Sequence, residues 1–147
     1  HKLQLEGKWI RIFSTYGPFD DDSWLIPYII KSLLKNKKPQ LTHCEQIWDY
    51  LHVEDAVNAI IKLKNSEGKG VFNLGSSKPR KLKEYVSIIC NEINKNIEPN
   101  FGKIPYRHDQ VMSLYPDITR IKKAAEWNPK IEFSNGIKNL INYYNEN

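Results

Sequence analysis

The sequence has no long hydrophobic run and very little cysteine. No apolar stretch approaches the length of a membrane span, and no charged segment followed by an apolar one opens the chain, so we expect no membrane partner. The two cysteines, Cys44 and Cys90, do not have the spacing of a metal site. We therefore expect a reduced, cytoplasmic location and no bound metal.

Glycine and negative charge are also scarce. The seven glycines never form the G-x-x-G-x-x-G pattern of a loop that cradles a dinucleotide, so this chain should not bind one tightly by itself. The 22 basic residues outnumber the 17 acidic ones, for a net charge of +5. Such a charge can indicate nucleic-acid binding, but the lysines are scattered over solvent-facing positions of helical segments. We expect no nucleic-acid partner, and the charge suits an anionic small ligand.

What remains is typical of a globular α/β protein. Apolar residues make up 40% of the chain and aromatic residues 12%, which is enough for a sizeable core in one domain. Strands are predicted at about 8–14 and 71–74. Apolar residues at helical spacing predict helices at about 22–36, 54–64, 82–95, 118–126 and 135–144.

Residues 8–18 form the stretch around which the rest of the chain is organised. Residues 9–13 carry apolar side chains on both faces, as expected of a strand that is covered on two sides. The Gly-Pro pair at 17–18 ends this strand in a tight turn. Ligands of open α/β sheets bind just beyond the carboxyl ends of strands, so the Ser-Thr-Tyr run at 14–16 is a candidate contact set.

The octapeptide R-I-F-S-T-Y-G-P at 11–18 resembles the R-x-F-N-x-Y-G-P segment of the extended short-chain dehydrogenase/reductases, the nucleotide-sugar epimerases and dehydratases. Further resembling segments follow in the family's order: Q-I-W-D-Y-L-H-V at 46–53, V-F-N-L-G-S at 71–76, I-P-Y-R at 104–107 and W-N-P-K at 127–130. The resemblance covers nearly the whole chain. It implies the C-terminal part of a Rossmann-type fold, with its last strands parallel, plus the small mixed α/β substrate-binding domain.

The family's first half carries the glycine-rich loop and a Tyr-x-x-x-Lys catalytic pair. Neither is present here, since no tyrosine has a lysine four positions further on. Residues 1–147 therefore resemble the substrate-binding portion alone, without the dinucleotide-binding half and without a catalytic residue. The first residue is His1, which favours an internal piece of a longer chain.

The resemblance implies a complete enzyme that uses NAD or NADP and acts on a nucleotide-sugar. We expect a homo-oligomer in surface-polysaccharide sugar biosynthesis. This chain alone should be inactive and should hold no cofactor tightly. The W-D-Y-L and R-I-F-S segments favour CDP-sugars weakly, while the sugar and the reaction type stay open.

The resemblance also places substrate contacts along the chain. Arg107 stands at the arginine that clamps the diphosphate, a task suited to a guanidinium. The backbone N–H of Leu25, at a helix start, is a second phosphate donor. Gln46 belongs to the same set. Trp48 replaces an arginine that meets the diphosphate in relatives, and an indole would stack on a base or sugar instead.

The cofactor contacts implied by the resemblance lie in the organising stretch. Phe13, Ser14 and Tyr16 are expected beside the nicotinamide, and Ser14 is also assigned to the substrate. Two polar residues further on have structural interpretations instead: Asp49 should accept backbone N–H bonds, and His52 should be a packed or exposed histidine without a catalytic role.

Two questions stay open from the sequence. The basic residues around 78–83 crowd the start of a predicted helix, which indicates either an anion site or, more simply, solvated lysines. The whole chain could also be a non-catalytic nucleotide-sugar-binding or protein-interaction module. A glycine-rich loop and a Tyr-x-x-x-Lys pair encoded upstream of His1 would favour the enzyme over the module.

Overall fold

A computed structural model of the chain describes residues 7–93 and 96–146. Within them it has five helices and seven strands, most of the strands very short. In chain order they are β1 (Lys8–Ile12), β2 (Thr15–Tyr16), α1 (Leu25–Leu34), β3 (Ile47–Trp48), β4 (Leu51–His52), α2 (Val53–Lys64), β5 (Gly70–Leu74), β6 (Arg80–Lys81), α3 (Leu82–Ile93), β7 (Ser113–Leu114), α4 (Thr119–Ala125) and α5 (Phe133–Glu146).

The two longest strands lie side by side. β1 pairs with β5 in parallel, in a register that runs from Lys8 opposite Gly70 to Ile12 opposite Leu74. This confirms the parallel pairing that the resemblance implies. β2 continues the chain after β1 and pairs in parallel with β4. The remaining short strands form a separate sheet in which β3 lies between β6, antiparallel to it, and β7, parallel to it.

Two apolar clusters hold these elements together. One lies under β5 between α2 and α4 and includes Leu63, Phe72, Ile121 and Trp127. The other is formed by α1, α3 and α5, whose buried side chains include Ile29, Ile30, Val86, Ile89 and Ile137. The helical spacing of these apolar residues in the sequence reflects the faces buried here.

The turn after β2 brings the chain back close to the start of α2. A β-carbon at Gly17 would overlap Val53 Cγ1, so this position requires glycine for lack of space. Val53 begins α2, and His52 before it caps the helix by accepting the N–H of Glu54 at 3.3 Å on its ring nitrogen Nδ1. The Y-G-P turn and the histidine before α2 are thus parts of one close contact.

The predicted helix starts need small corrections. α1 begins at Leu25 and not near residue 22, because the acidic run folds into its own turn, in which Asp21 accepts the N–H of Ser23 at 2.8 Å. No side chain caps α1. α4 begins at Thr119, whose N–H donates to Asp117 at 2.8 Å. α5 begins at Phe133, two residues before the predicted start. The predicted end of α3 at residue 95 lies outside the described residues.

The expectation that β1 is covered on two sides is wrong for the described residues. Trp9 is 69% exposed and Ile12 is 51% exposed. On α2, Val57, Ile60 and Ile61 also expose apolar surface. No described strand pairs with the second edge of β1. Ile10 packs against the apolar cluster under β5, while the described residues leave Trp9 and Ile12 largely exposed.

Candidate substrate cleft

A cleft of about 690 Å³ opens just beyond the carboxyl end of β1. Its walls come from four parts of the chain: residues 13–15 after β1, the start of α1, the segment 40–48, and the loop 104–110. Six of the seven residues assigned from the sequence lie in these walls: Phe13, Ser14, Leu25, Gln46, Trp48 and Arg107. Tyr16 alone among the seven is not a lining residue.

Tyr16 lies in the core instead. It is buried, and its hydroxyl donates to the carbonyl of Phe133 at 3.4 Å. Its ring packs edge-on against His52. Burial raises the pKa of the Tyr16 hydroxyl strongly, so the phenol stays neutral. The side chain alternates to the opposite face from its neighbour Thr15, which does line the cleft.

One wall of the cleft carries a tethered aromatic ring. The indole Nε1 of Trp48 donates to the hydroxyl oxygen of Ser14 at 2.8 Å. The backbone of Ser14 is also fixed, because its carbonyl accepts the N–H of Leu51 at 2.9 Å. The ring orientation is therefore set by a hydrogen bond as well as by packing. An aromatic side chain held in this way is suited to contact a flat or apolar part of a ligand.

Gln46 lies beside this ring and is only 4% exposed. Its side-chain oxygen Oε1 is buried and finds no hydrogen-bond partner in the part of the chain that the structure describes. Such an unsatisfied buried acceptor costs about 1–3 kcal/mol. An unpartnered acceptor in a cleft wall is a candidate contact for a ligand donor.

Two further parts of the cleft walls carry groups of a kind suited to an anion. Arg107 is exposed on the loop 104–110 and makes no ion pair with any residue in the described ranges. α1, whose start also lines the cleft, begins without a side-chain cap. The first N–H groups of a helix, here those of Leu25 and Ile26, have no acceptor within the helix, and its dipole favours an anion there.

The charge of the cleft walls is close to neutral. Arg107 is the single basic side chain and Asp20 the single acidic one among the described lining residues. Burial raises the pKa of the Asp20 carboxyl. Burial also raises the pKa of the Cys44 thiol and, strongly, that of the Tyr50 hydroxyl, so both stay uncharged at neutral pH. A ligand would therefore meet one fixed positive charge in a mostly neutral cleft.

Two structural interpretations of polar residues are confirmed. Asp49 is fully buried and accepts the backbone N–H groups of Ser76 at 2.8 Å and Ser77 at 3.0 Å. His52 is buried as the cap of α2, and burial lowers its pKa. Asp55 has a similar role that the sequence did not indicate, since it accepts the N–H groups of Lys130 and Ile131.

The basic start of α3 is not a free anion site. The N–H of Leu82 donates to the carbonyl of Gln46 at 2.8 Å, and that of Lys83 to the carbonyl of Cys44 at 2.9 Å. The positive end of the α3 dipole therefore faces carbonyl groups of the chain itself. Lys78 pairs with Glu132. These contacts favour the interpretation of solvated lysines, and they fasten the segment 40–48 to α3.

Several residues that line the cleft were not predicted from the sequence. Thr42 and Cys44 line the cleft from the middle of an irregular segment, and Gln110 lines it from the loop that carries Arg107. These residues follow no motif, so only the folded chain brings them together. No cluster of His, Cys, Asp or Glu that could hold a metal ion was found among the described residues.

Comparison with known proteins decides the family. Residues 1–75 match the model of the NAD dependent epimerase/dehydratase family. The chain belongs to this family. CDP-abequose synthase of Salmonella muenchen is 27% identical over 135 residues, which cover 90% of this chain and 46% of that protein. The chain spans less than half the length of the curated relatives it matches.

Solved structures show the same fold. UDP-glucose 4-epimerase of Thermotoga maritima superposes with a TM-score of 0.88 at 22% identity, over 97% of this chain and 47% of that one. The dTDP-glucose 4,6-dehydratase of Bacillus anthracis gives 0.81 at 26% identity, over 95% of this chain and 45% of that one. The chain thus has the α/β fold of part of a Rossmann-type epimerase/dehydratase.

Proposed function

We propose that this chain is the C-terminal, substrate-binding portion of an NAD(P)-dependent nucleotide-sugar epimerase, dehydratase or reductase, with residues 1–147 as one domain. The observation that carries the proposal is the cleft beyond β1, which is lined both by an arginine that has no ion-pair partner among the described residues and by a helix start without a side-chain cap. The names of its relatives support it, because they include a CDP-abequose synthase and a UDP-glucose 4-epimerase.

The substrate is bound through its diphosphate and its flat nucleoside part. In this proposal the guanidinium of Arg107 donates two parallel hydrogen bonds to phosphate oxygens, and the N–H of Leu25, which lines the same cleft, is a further donor. Trp48 packs on the base or the sugar. Gln46 and Ser14 supply polar contacts, and Ser14 can donate its hydroxyl hydrogen because its oxygen already accepts from Trp48.

We expect the described residues not to form a dinucleotide site on their own. They contain no glycine-rich loop, and only Phe13 and Ser14 of the predicted cofactor contacts lie in the cleft wall. Tyr16 is left out of the proposal because it is buried in the core. NAD or NADP would be held by another half, which would also supply the proton-transferring residues. In the complete enzyme Phe13 and Ser14 would lie beside the nicotinamide.

We place that other half against the exposed surface of β1. β1 carries five register pairs with β5 on one edge, and its second edge is unpaired among the described strands. Parallel sheets are normally covered on both faces. Trp9 on one face of β1 and Ile12 on the other are exposed, and α2 exposes Val57 and Ile61. A dinucleotide-binding half that continues the sheet would cover all of these.

The complete enzyme would work in the cytoplasm as a homo-oligomer, in the synthesis of sugars for surface polysaccharides. The described part of the chain contains no helix that could span a membrane. A non-catalytic nucleotide-sugar-binding or protein-interaction module is the second candidate, favoured by the lack of a Tyr-x-x-x-Lys pair. Both candidates predict nucleotide-sugar binding, and only the first predicts turnover once a dinucleotide-binding half is present.

The test is a thermal-shift screen of the chain with CDP-, UDP-, dTDP- and GDP-glucose, followed by titration calorimetry. A ligand that binds the native state raises its melting temperature, by an amount that grows with ligand concentration. We expect at least one of the four to do so, and glucose 1-phosphate, which lacks the nucleoside, to have a smaller effect. A chain that responds to none of the four contradicts the proposal.

A further inference from the structure

The segment 42–48 has two faces with different contacts. Its even-numbered side chains line the cleft: Thr42, Cys44, Gln46 and Trp48. Its odd-numbered residues contact the chain on the other side, which is the segment that carries Arg107. The side chains alternate in this way although the segment is irregular, with a φ of 55° at Cys44 and a strand only at Ile47–Trp48. One short segment therefore forms the cleft wall and also supports the arginine loop.

Tyr106 is the centre of the contact on the second face. Its hydroxyl accepts the backbone N–H of Glu45 at 3.1 Å and donates to the carboxylate oxygen Oε2 of the same residue at 3.3 Å. Its ring lies 6.2 Å, between centroids, from the ring of His43. Tyr106 immediately precedes Arg107, so this hydroxyl holds the backbone from which the guanidinium extends.

The other anchors of this loop lie at its ends. The N–H of Ile104 donates to the carbonyl of Leu41 at 3.1 Å, and the N–H of Ile47 donates to the carbonyl of Met112 at 2.9 Å. Between these ends, the hydrogen bonds of Arg107 and Gln110 among the described residues stay within the loop and its next residue: the N–H of Gln110 donates to the carbonyl of Arg107 at 3.1 Å, and its side-chain amide donates to the carbonyl of Val111 at 3.3 Å. The Tyr106 hydroxyl is the described side-chain bond that ties this stretch to the cleft wall.

We propose that Tyr106 is a positioning residue for substrate binding, which holds Arg107 over the cleft through its hydrogen bonds to Glu45. The inference rests on the proposed function of the cleft. An arginine on a free loop must lose conformational freedom when it binds a phosphate, while one on a fixed loop has already lost much of it. The bond to Glu45 thus tightens binding although Tyr106 itself touches no ligand.

The first test is a double-mutant cycle measured by calorimetry with CDP-glucose and UDP-glucose as probes. Tyr106→Phe keeps the ring and removes only the hydroxyl. We expect it to weaken binding by about threefold to tenfold in the parent chain, as for the loss of one or two exposed hydrogen bonds. In an Arg107→Ala background the same change should have no further effect, because there is no arginine left to position. An equal loss in both backgrounds overturns the proposal.

A second test needs no ligand. Trypsin cleaves after Arg107 only when the loop can leave the cleft wall, so Tyr106→Phe should speed that cleavage severalfold with an unchanged melting temperature. Tyr115→Phe is the matched control, since this tyrosine is exposed and lies beyond β7. Equal cleavage rates in all three proteins overturn the positioning role. If the parent binds neither probe but the Tyr106→Phe loop is cleaved faster, the proposed function fails while the tether between Tyr106 and Glu45 stands.

Discussion

The indole of Trp48 and the hydroxyl of Ser14 form a 2.8 Å hydrogen bond across one wall of the cleft. Both residues differ from what the resemblance leads one to expect, since Ser14 stands where relatives carry asparagine and Trp48 where many carry arginine. In this chain the two replacements contact each other. We therefore regard them as one unit that shapes the part of the cleft where the family's second phosphate-binding arginine would be.

Substitutions of Trp48 should weaken nucleotide-sugar binding, and the effect should grow with the aromatic surface that is lost. Trp48→Phe keeps a ring but loses the bond to Ser14, and we expect nucleotide-sugar binding to weaken by about threefold. Trp48→Leu should weaken it by about tenfold or more, because a stacking contact is lost as well. Calorimetry with the best ligand of the screen measures both. Equal affinities for the parent and Trp48→Leu would show that the indole does not contact the ligand.

The uncovered face of β1 should make the isolated chain self-associate. Trp9 is 69% exposed beside an unpaired strand edge, and such edges and apolar patches drive association. Sedimentation should show species larger than a monomer, and Trp9→Lys should reduce them. Phe19→Lys is the control, because Phe19 is exposed elsewhere and contacts Tyr143. A parent chain that stays monomeric at high concentration contradicts this prediction.

The stability of the chain should fall at mildly acidic pH because of His52. Its Nδ1 must be unprotonated to accept the N–H of Glu54, and burial lowers its pKa from the ordinary value of 6.5, against the smaller opposing effect of Glu54 and Asp55. The unfolded chain then binds the proton more tightly than the folded one. The stabilisation is complete above pH 6.5 and is lost as the pH falls below that value toward the lower pKa of the folded state.

A cap that does not titrate isolates this effect. His52→Asn keeps an N-cap acceptor without the ring, so its unfolding free energy should drop less between pH 7.5 and pH 5 than that of the parent. The difference should be about 1 kcal/mol, the usual contribution of a helix N-cap. Urea unfolding at the two pH values provides the measurement. Parallel pH profiles for the two proteins would mean that His52 is not the titrating group.

The sequence predicted the long elements well and the cleft only in part. The β1–β5 pair and the five helices have long apolar patterns, and those patterns follow from buried faces. Strands of two residues, such as β3 and β6, leave no such pattern because their existence depends on neighbours that are distant in the chain. The same reason explains why the sequence did not indicate Thr42 and Tyr106. Both lie in segments without regular secondary structure, and only the fold brings Thr42 to the cleft and Tyr106 to Glu45.

Tyr16 shows the limit of assigning contacts by motif. It lies in the same polar run as Ser14 and Thr15, but within β2 its side chain points to the side opposite that of Thr15 and is buried in the core. The motif gave the right place on the sheet. Only the packing against Phe133 decided which side of the backbone each of these residues occupies.

By itself the chain should catalyse no reaction. The proposed acid–base pair and the dinucleotide loop are both absent from the sequence. Incubation of the purified chain with NAD and the nucleotide-sugar that binds best should therefore give no product and no change in absorbance at the NADH wavelength. Turnover above the level of a heat-denatured control would contradict this prediction.

Arg107 should be the main side-chain clamp on the substrate diphosphate. It is the single basic residue among the described lining residues of the cleft, and the uncharged indole of Trp48 provides no second cation for the phosphates. A hydrogen bond to a charged group contributes about 1.5–3 kcal/mol, and about 1.4 kcal/mol corresponds to a tenfold change in affinity. Arg107→Ala should therefore weaken nucleotide-sugar binding by about tenfold or more.

Two further variants make this test specific. Arg107→Lys should recover only part of the loss, because lysine keeps the charge but not the planar fork that binds two oxygens at once. Lys103→Ala removes an exposed positive charge just before the loop 104–110. It should change binding by less than about twofold, because Lys103 does not line the cleft and salt screens an exposed charge. Calorimetry on the three variants, with the strongest ligand of the screen, gives the ranking. If Arg107→Ala binds as tightly as the parent, Arg107 is an ordinary surface arginine, and the phosphates must lie at the start of α1 alone.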